Sequence, residues 1–236
     1  MQKSVEIKSI FDIAETTGCS ISLDKAEKLV EYLEAIKNIN KVINIVSRET
    51  TDNILINKHI YSSFIFIKSI EQILKERKID KIADIGTGGG FPGVPIAILF
   101  NNIGVTLIDS VTKKTDFLQV LQKSLSIPNI QVINERAEIL SHSLDYRERY
   151  DIVTARAVAS TRICAEYGLA LVKIGGYLIT IKSLSQEKEI HDDEAFVEKM
   201  GGEISTQRFN RDIMVFIKKV KATPKSLPRP THQIRK

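Results

Sequence analysis

Tryptophan is absent and aromatic residues make up only 6% of the chain, so aliphatic side chains must fill most of any core. The two cysteines, Cys19 and Cys164, stand far apart and without metal-ligand spacing. That excludes a disulfide framework and a thiolate metal centre, and it predicts reduced thiols in a cytoplasmic protein with no bound metal. No apolar run approaches the ~18 residues a membrane-spanning helix requires. The start, Met1-Gln2-Lys3-Ser4-Val5-Glu6, has an acid at position 6 and no continuous apolar stretch, unlike a signal peptide. A soluble protein without membrane contact is expected.

What is present suits one α/β domain carrying an extra element at one end. The chain has 236 residues, 43% hydrophobic and 27% charged, and at this length roughly 70% of the unfolded surface can be buried. The formal net charge is +5, unevenly spread. Residues 218–236 hold seven Lys/Arg and no acid, which leaves 27 basic against 29 acidic residues in the remainder, a net of about −2. A near-neutral body with a concentrated basic tail points to a polyanionic partner, against the alternative of a solvated tail that touches nothing. Pro224, Pro228 and Pro230 crowd the same segment and predict an extended, mobile, non-helical tail.

The first third has helical periodicity. Ile7, Ile10, Phe11 and Ala14 predict one helix that Gly18 stops. Ser22-Leu23-Asp24 opens a second, with Leu29, Val30, Leu33, Ile36 and Ile43 as its stripe, and Ile56, Ile60, Phe64, Ile67 and Ile70 mark a third from about Asp52 to Lys75. Short apolar strands then alternate with helices: strands at Lys81–Ile85, Gly104–Asp109, Asn129–Asn134, Tyr150–Ala155 and Gly176–Lys182, and helices at Val94–Phe100, Lys114–Leu125, Thr161–Val172 and Gln186–Met200. Alternation of this kind gives a parallel sheet. Two closing β-rich runs, Gly202–Arg208 and Asp212–Lys218, add an antiparallel edge. The predicted organisation is a helical extension over 1–75, a core over 76–219 and a basic tail over 220–236.

The strongest local signal is Asp84-Ile85-Gly86-Thr87-Gly88-Gly89-Gly90-Phe91-Pro92-Gly93, where the first strand turns into a helix. Glycines there permit positive φ and close approach of a ligand, and the helix amides beyond face it. Gly88, Gly90 and Gly93 fit G-x-G-x-x-G with Asp109 about 20 residues on, the dinucleotide pattern. Gly86, Gly88 and Gly90 equally fit the D-x-G-x-G-x-G loop of S-adenosylmethionine-dependent methyltransferases. Asp84 favours the second. A carboxylate at this strand end would repel a pyrophosphate, whereas S-adenosylmethionine carries an ammonium and a sulfonium. Asp109 ends the second strand, placed to accept both ribose hydroxyls or to cap the next helix, a role Ser110 could also fill. Ala137 and Glu138 follow the third strand, where such folds cover the adenine.

These residues together resemble the small-subunit ribosomal RNA methyltransferase G family, also called glucose-inhibited division protein B. Gly86–Gly93 looks like its glycine loop, Leu107-Ile108-Asp109-Ser110 with Lys113-Lys114 its second-strand motif, and Arg136-Ala137-Glu138 its R-A-E segment. Thr154-Ala155-Arg156-Ala157-Val158-Ala159 resembles its (S/T)-x-R-A-x-A segment. Asn40-Lys41, Asn44, Ser47-Arg48 and His59 fall on its upstream pattern, and Arg211–Val215 and Thr223-Pro224-Lys225 on its last strand and tail. Departures occur at Ile39, Val46, Ser62 and Ser183, all outside the glycine loop.

The resemblance implies a Rossmann-like class I methyltransferase fold with a mostly parallel seven-stranded sheet. It implies S-adenosyl-L-methionine as cofactor, with contacts at Gly86, Phe91, Ala137, Glu138 and Arg156; Asp84, Gly88, Gly90 and Asp109 join them by position. It further implies methylation of guanine N7 in 16S rRNA of the small ribosomal subunit, and a monomer is expected. Guanine N7 has an in-plane lone pair and needs no deprotonation, which agrees with the lack of a cysteine nucleophile or base-binding motif after the fourth strand. Arg156 stands there instead, expected to shape the pocket rim and touch guanine O6 or a phosphate, with pairing to Asp151 as the alternative. Arg48, Lys113, Lys182, Lys225 and Arg229 are the expected RNA-binding cations, with Lys114 beside them; Lys182 could equally be a solvated strand end. His59 is expected either at the active-site mouth or packed in the core. The competing readings are a methyltransferase acting on another substrate, a nicotinamide-dependent oxidoreductase, and a noncatalytic RNA-binding module.

Overall fold

The structure is a computed structural model that describes residues 2–47, 51–156, 160–210 and 212–234. Its elements begin with helices α1 (Gln2–Thr17), α2 (Leu23–Asn40), α3 (Asp52–Ile54) and α4 (Tyr61–Leu74), the last two joined by a π-helical stretch, Leu55–Ile60. Then follow β1 (Lys81–Ile85), α5 (Gly93–Leu99), β2 (Gly104–Asp109), α6 (Thr112–Ser124), β3 (Ile130–Asn134) and α7 (Ala137–Leu140). After these come β4 (Tyr150–Ala155), α8 (Thr161–Gly168), β5 (Val172–Ser183), α9 (Glu187–Asp192) and α10 (Glu194–Met200). The chain closes with β6 (Gly202–Phe209), β7 (Asp212–Lys219) and a turn of helix, α11 (Thr231–Ile234). The seven strands form one sheet in the order β3-β2-β1-β4-β5-β7-β6. β1, β4 and β5 run parallel, and β7 runs antiparallel to both β5 and β6. The mostly parallel sheet with an antiparallel edge is the expected one.

Contacts gather the chain into two compact units. The first comprises Met1–Lys78, Thr87–Leu107 and Val111–Ile133. Its helices follow the apolar stripes: Ala26, Leu29, Val30, Leu33 and Ile36 of α2 are fully buried, and Gly18 (φ +69°) stops α1. The buried face of α1 is Ile10, Ile13 and Ala14, while Phe11 is exposed and Ile43 lies beyond the end of α2. No helix among the described residues is long and apolar enough to cross a membrane.

The second unit comprises Ile79–Gly86, Ile108–Ser110 and Asn134–Lys236. β4 is buried along its whole length, as a central strand must be when both faces are covered. α8 ends four residues earlier than its periodicity predicts. Leu169, Ala170 and Leu171 are fully buried but lead into β5, which starts at Val172. The single helix expected over Gln186–Met200 is two, meeting at Asp193.

The tail corrects the sequence reading. Thr223, Leu227 and Pro228 are buried, and Thr231–Ile234 is helical immediately after Pro230. Proline's fixed φ suits the residue that enters a helix, so the prolines direct this segment rather than leave it loose. Lys219 is also buried: it donates to the Leu169 carbonyl (2.6 Å) and Thr223 Oγ1 (2.7 Å), and burial pushes its ammonium down to about 8.

Candidate functional site

The second unit contains a cavity of about 220 Å³. Its wall begins at the carboxyl ends of β1 and β2, with Ile85, Gly86, Ile108, Asp109 and Ser110. It continues through Glu135, Arg136, Ala137 and Glu138 after β3, and Ile163 and Tyr167 of α8 close it. This is where an open α/β sheet binds ligands, because strand ends and helix starts converge there. The lining mixes apolar Ile85, Ile108, Ala137 and Ile163 with polar groups, and two of its carboxylates are buried, Asp109 (6% exposed) and Glu138 (5% exposed). The backbone of the first and the carboxylate of the second are held locally. Asn134 Nδ2 donates to the Asp109 carbonyl at 3.1 Å, and Arg136 Nη1 pairs with Glu138 Oε1 at 3.5 Å. Gly86, with φ +64°, makes the turn out of β1 at the cavity wall, a conformation that L side chains rarely adopt.

Four predicted cofactor residues therefore meet in one cavity: Gly86, Asp109, Ala137 and Glu138. Asp84 does not line it. This aspartate is fully buried on β1 two residues before Gly86, where Thr154 Oγ1 on β4 donates to its Oδ1 at 2.8 Å, and the parallel register pairs the two residues. Sequence reasoning placed Thr154 in a motif without this role; its signal was the shared strand-end position of residues 84 and 154. Arg156 follows β4 directly, with Nε buried, and is not part of the cavity wall. The alternative partner Asp151 stands at the other end of the strand, roughly 16 Å away along an extended chain. There Asp151 accepts from Lys173 Nζ (2.9 Å) and from the amides of Asp80 and Lys81 (both 3.0 Å). Burial raises its pKa, but these donors outweigh burial and hold it below the usual carboxylate range. Ala157, Val158 and Ala159 of the same motif lie outside the described residues.

Gly88, Gly90 and Phe91 belong to the first unit. Their turn is closed by Gly90 N and Phe91 N donating to the Thr87 carbonyl (2.9 and 3.1 Å). Fully buried Tyr32 of α2 donates from its hydroxyl to the Gly89 carbonyl at 2.8 Å and packs its ring 4.9 Å from Phe91. His59 packs on the other ring contact of Phe91, at 5.0 Å, from the π-helical stretch. Both supports escaped the sequence reading of the loop, because nothing local ties residues 32 and 59 to 91. Gly90 is tighter than its neighbour Gly89: φ is +101°, and a Cβ would come within 2.6 Å of Val94 Cγ2 and 3.0 Å of Leu118 Cδ2. Gly90→Ala is expected to cost about 2 kcal/mol through strain and overpacking. That would lower the thermal unfolding midpoint by about 4–8 °C for a chain of this size. A midpoint equal to wild type in a thermal melt would show that the turn yields.

The predicted RNA-binding cations divide. Lys113 and Lys225 are exposed and Lys114 is half-buried. Lys182 is not a surface cation. It is 4% exposed and pairs with Glu189 at 3.5 Å, one residue before the end of β5, which lies between β4 and β7. Arg229 is bound by Glu166, with Nη2 2.7 Å from Oε2 and Nε 2.8 Å from Oε1, so its guanidinium is already engaged. Arg48 lies outside the described residues, as does Arg211.

With the cavity and the glycine turn in place, similarity to known proteins can be set beside them. The family model of rRNA small subunit methyltransferase G matches residues 25–212. The chain belongs to this family. A ribosomal RNA small subunit methyltransferase G of Clostridium botulinum (strain Eklund 17B / Type B) is 35% identical over 231 residues, covering 94% of each chain. One of Acetivibrio thermocellus is 35% identical over 238 residues, covering 97% of this chain and 95% of its own. Among solved structures, a putative caffeoyl-CoA O-methyltransferase from Staphylococcus aureus aligns with a TM-score of 0.55 at 18% identity, covering 91% of this chain and 99% of that one. A 16S rRNA N2 methyltransferase from T. thermophilus, solved with AdoMet and guanosine, aligns with a TM-score of 0.52 at 14% identity over 73% of this chain and 44% of that one. At these identities the structures speak for the fold, which is the Rossmann-like methyltransferase fold expected for the family.

Proposed function

We propose that the chain is an S-adenosylmethionine-dependent methyltransferase acting on guanine N7 of 16S rRNA in the small ribosomal subunit. The observation that carries this is the meeting of Gly86, Asp109, Ala137 and Glu138 in one cavity, within a chain whose family is named for ribosomal RNA methylation. The residues fit the cofactor. Two buried carboxylates stand beside Ile85, Ile108 and Ile163 in a mixed polar and apolar wall, which suits a nucleoside whose hydroxyls and amino group donate and whose base needs apolar cover. The volume is about 220 Å³, below the ~300–1,000 Å³ of whole-ligand pockets.

Asp109 accepts the ribose hydroxyls, Glu138 and Ala137 hold the adenine side, and Ile108, Ile163 and Tyr167 exclude water from it. Asp84, kept in place by Thr154, supplies negative charge at the end of β1. The glycine turn that continues from Gly86, with Gly88, Gly90 and Phe91, is assigned to the same cofactor by its sequence pattern. When bound, S-adenosylmethionine supplies an activated methyl group. Guanine N7 attacks with its own lone pair, so this step needs no base and the chain's task is positioning and exclusion of water. Arg156 is assigned to the guanine O6 or a neighbouring phosphate. A bidentate fork on O6 and N7 would occupy the attacking atom. Arg48, Lys113 and Lys225 are assigned to phosphates, adding salt-sensitive affinity independent of sequence. The protein acts in the cytoplasm as a monomer.

The test is transfer of labelled methyl from S-adenosylmethionine to 30S subunits from cells lacking this protein, beside naked 16S rRNA, with nucleoside analysis of the digest. N7-methylguanosine in the digest is the expected result, and Arg156→Ala is expected to reduce it strongly. Label on another nucleoside, or none despite cofactor binding, would overturn the reading.

A further inference from the structure

The densest polar attachment outside the cavity joins residues 223–229 to α8 and to the chain just after α7, all within the second unit. Glu166 of α8 is 0% exposed. It accepts three hydrogen bonds from one residue: Arg229 N (2.9 Å) and Nε (2.8 Å) at Oε1, and Nη2 (2.7 Å) at Oε2. Arg147 gathers the neighbouring carbonyls. Its Nη1 donates to Ser141 O (2.9 Å) and Leu227 O (3.0 Å), and its Nη2 to Thr223 O (2.7 Å) and Pro224 O (3.1 Å). His142 Nε2 lies 2.9 Å from the Pro228 carbonyl. The sheet needs none of this, because β7 is complete at Lys219.

The attachment meets the cavity at two walls. Ile163 and Tyr167, which close the cavity, stand three residues before and one after Glu166 on the same short helix. Ser141, His142 and Arg147 follow Ala137 and Glu138, which form the opposite wall. Each wall is one or two turns of helix and depends on what it packs against: α8 lies on β4, β5 and α10, and α7 on α8. The segment that bridges them adds a polar tie between the two walls.

We propose that residues 223–229 are a strap that preorganises the cofactor cavity, with Glu166 and Arg229 as positioning residues for S-adenosylmethionine. This rests on the cavity being the cofactor site. Without the pair, the two walls sample other spacings, and binding carries the cost of bringing them back together.

The experiment is calorimetric titration of S-adenosylmethionine and S-adenosylhomocysteine into wild type, Arg229→Gln, Arg229→Lys, Glu166→Gln, the Glu166→Gln/Arg229→Gln double variant, Lys225→Gln and Asp109→Ala. Each is held well below its own unfolding midpoint, and methyl transfer to 30S subunits is measured in parallel. If the competent spacing falls to about a tenth of molecules, Arg229→Gln raises the apparent Kd about tenfold. KM for the cofactor is expected to rise equally, with kcat at saturation and KM for the subunit near wild type. Arg229→Lys should recover part of the affinity, the double variant should be no worse than either single one, and Lys225→Gln, at a residue assigned to phosphate, should leave cofactor affinity unchanged while raising KM for the subunit. The Arg229 side chain is about a third exposed, so its variants decide the matter if Glu166→Gln does not fold. Folded Arg229→Gln with wild-type cofactor affinity overturns the strap. So does a loss confined to subunit affinity, which would make Arg229 an RNA contact. Wild type that fails to bind S-adenosylmethionine, or Asp109→Ala that binds it fully, overturns the cavity assignment itself and the strap with it.

Discussion

Asp109→Ala is expected to raise the dissociation constant for S-adenosylmethionine about 100-fold, the larger of the two effects foreseen on ligand binding. The carboxylate ends β2 at the cavity wall and is 6% exposed, so bulk water cannot replace it there. Hydrogen bonds to a charged group contribute about 1.5 kcal/mol or more each, and two of them make about 3 kcal/mol, or a factor of about 100 in Kd. Asp109→Asn keeps the shape and one acceptor oxygen while losing the charge, and should fall between the two, near tenfold. Isothermal titration of the folded variants checks both values. An Asp109→Ala protein that binds within twofold of wild type would remove Asp109 from the cofactor site, whatever the fate of the methyl-transfer assay.

The largest effect on stability is expected at Glu166. Burial raises its pKa, but the Arg229 side-chain and backbone bonds outweigh burial and hold it below its ordinary value of 4.5. Removing one partner of a buried pair costs about 3–5 kcal/mol. Because Arg229 is about a third exposed and solvent screens it, about 2–3 kcal/mol is the better figure for Glu166→Gln at pH 7. The pH dependence follows from the direction of the shift. The native carboxylate gives up its proton more readily than the unfolded one. Its contribution is therefore complete above pH 4.5 and is lost as the pH falls through the lower native value. Asp151 and Glu189 are lowered in the same direction, by Lys173 with the Asp80 and Lys81 amides, and by the Thr161 amide with Lys182. Denaturant unfolding at pH 7 and near pH 3 should show the gap between wild type and Glu166→Gln narrowing in acid. A gap constant across that range would mean that the pair is not the source of the difference.

Much of the fold was legible because its determinants are local. The strands β1, β2 and β4 lie where short β-rich, apolar runs stand between turn residues, with the expected limits. Gly18 stops α1 for the backbone reason that made it legible. The misreadings have one cause. Val172 reads as helix, and Lys182 as a strand end facing solvent, because periodicity cannot reveal that β5 extends from Val172 to Ser183 through the interior. The tail was misread in the same way: prolines and lysines describe a loose chain until Glu166, 63 residues away, supplies a buried partner.

The site divides along the same line. Residue type and spacing pointed to the glycine turn after β1 and the acids after β2 and β3, and the family resemblance to the arginine after β4, since each sits at a strand end whose chemistry is readable within a few residues. Tertiary structure decided what supports them. It put Thr154 on Asp84, Tyr32 and His59 on Phe91, and Arg229 on Glu166. These are pairings across large sequence separations, in which a hydroxyl, a ring or a guanidinium acquires its function only from the burial and distance that folding imposes. A sequence specifies the groups that can bind and react, but only packing determines which of the remaining polar groups are withdrawn from solvent to hold them.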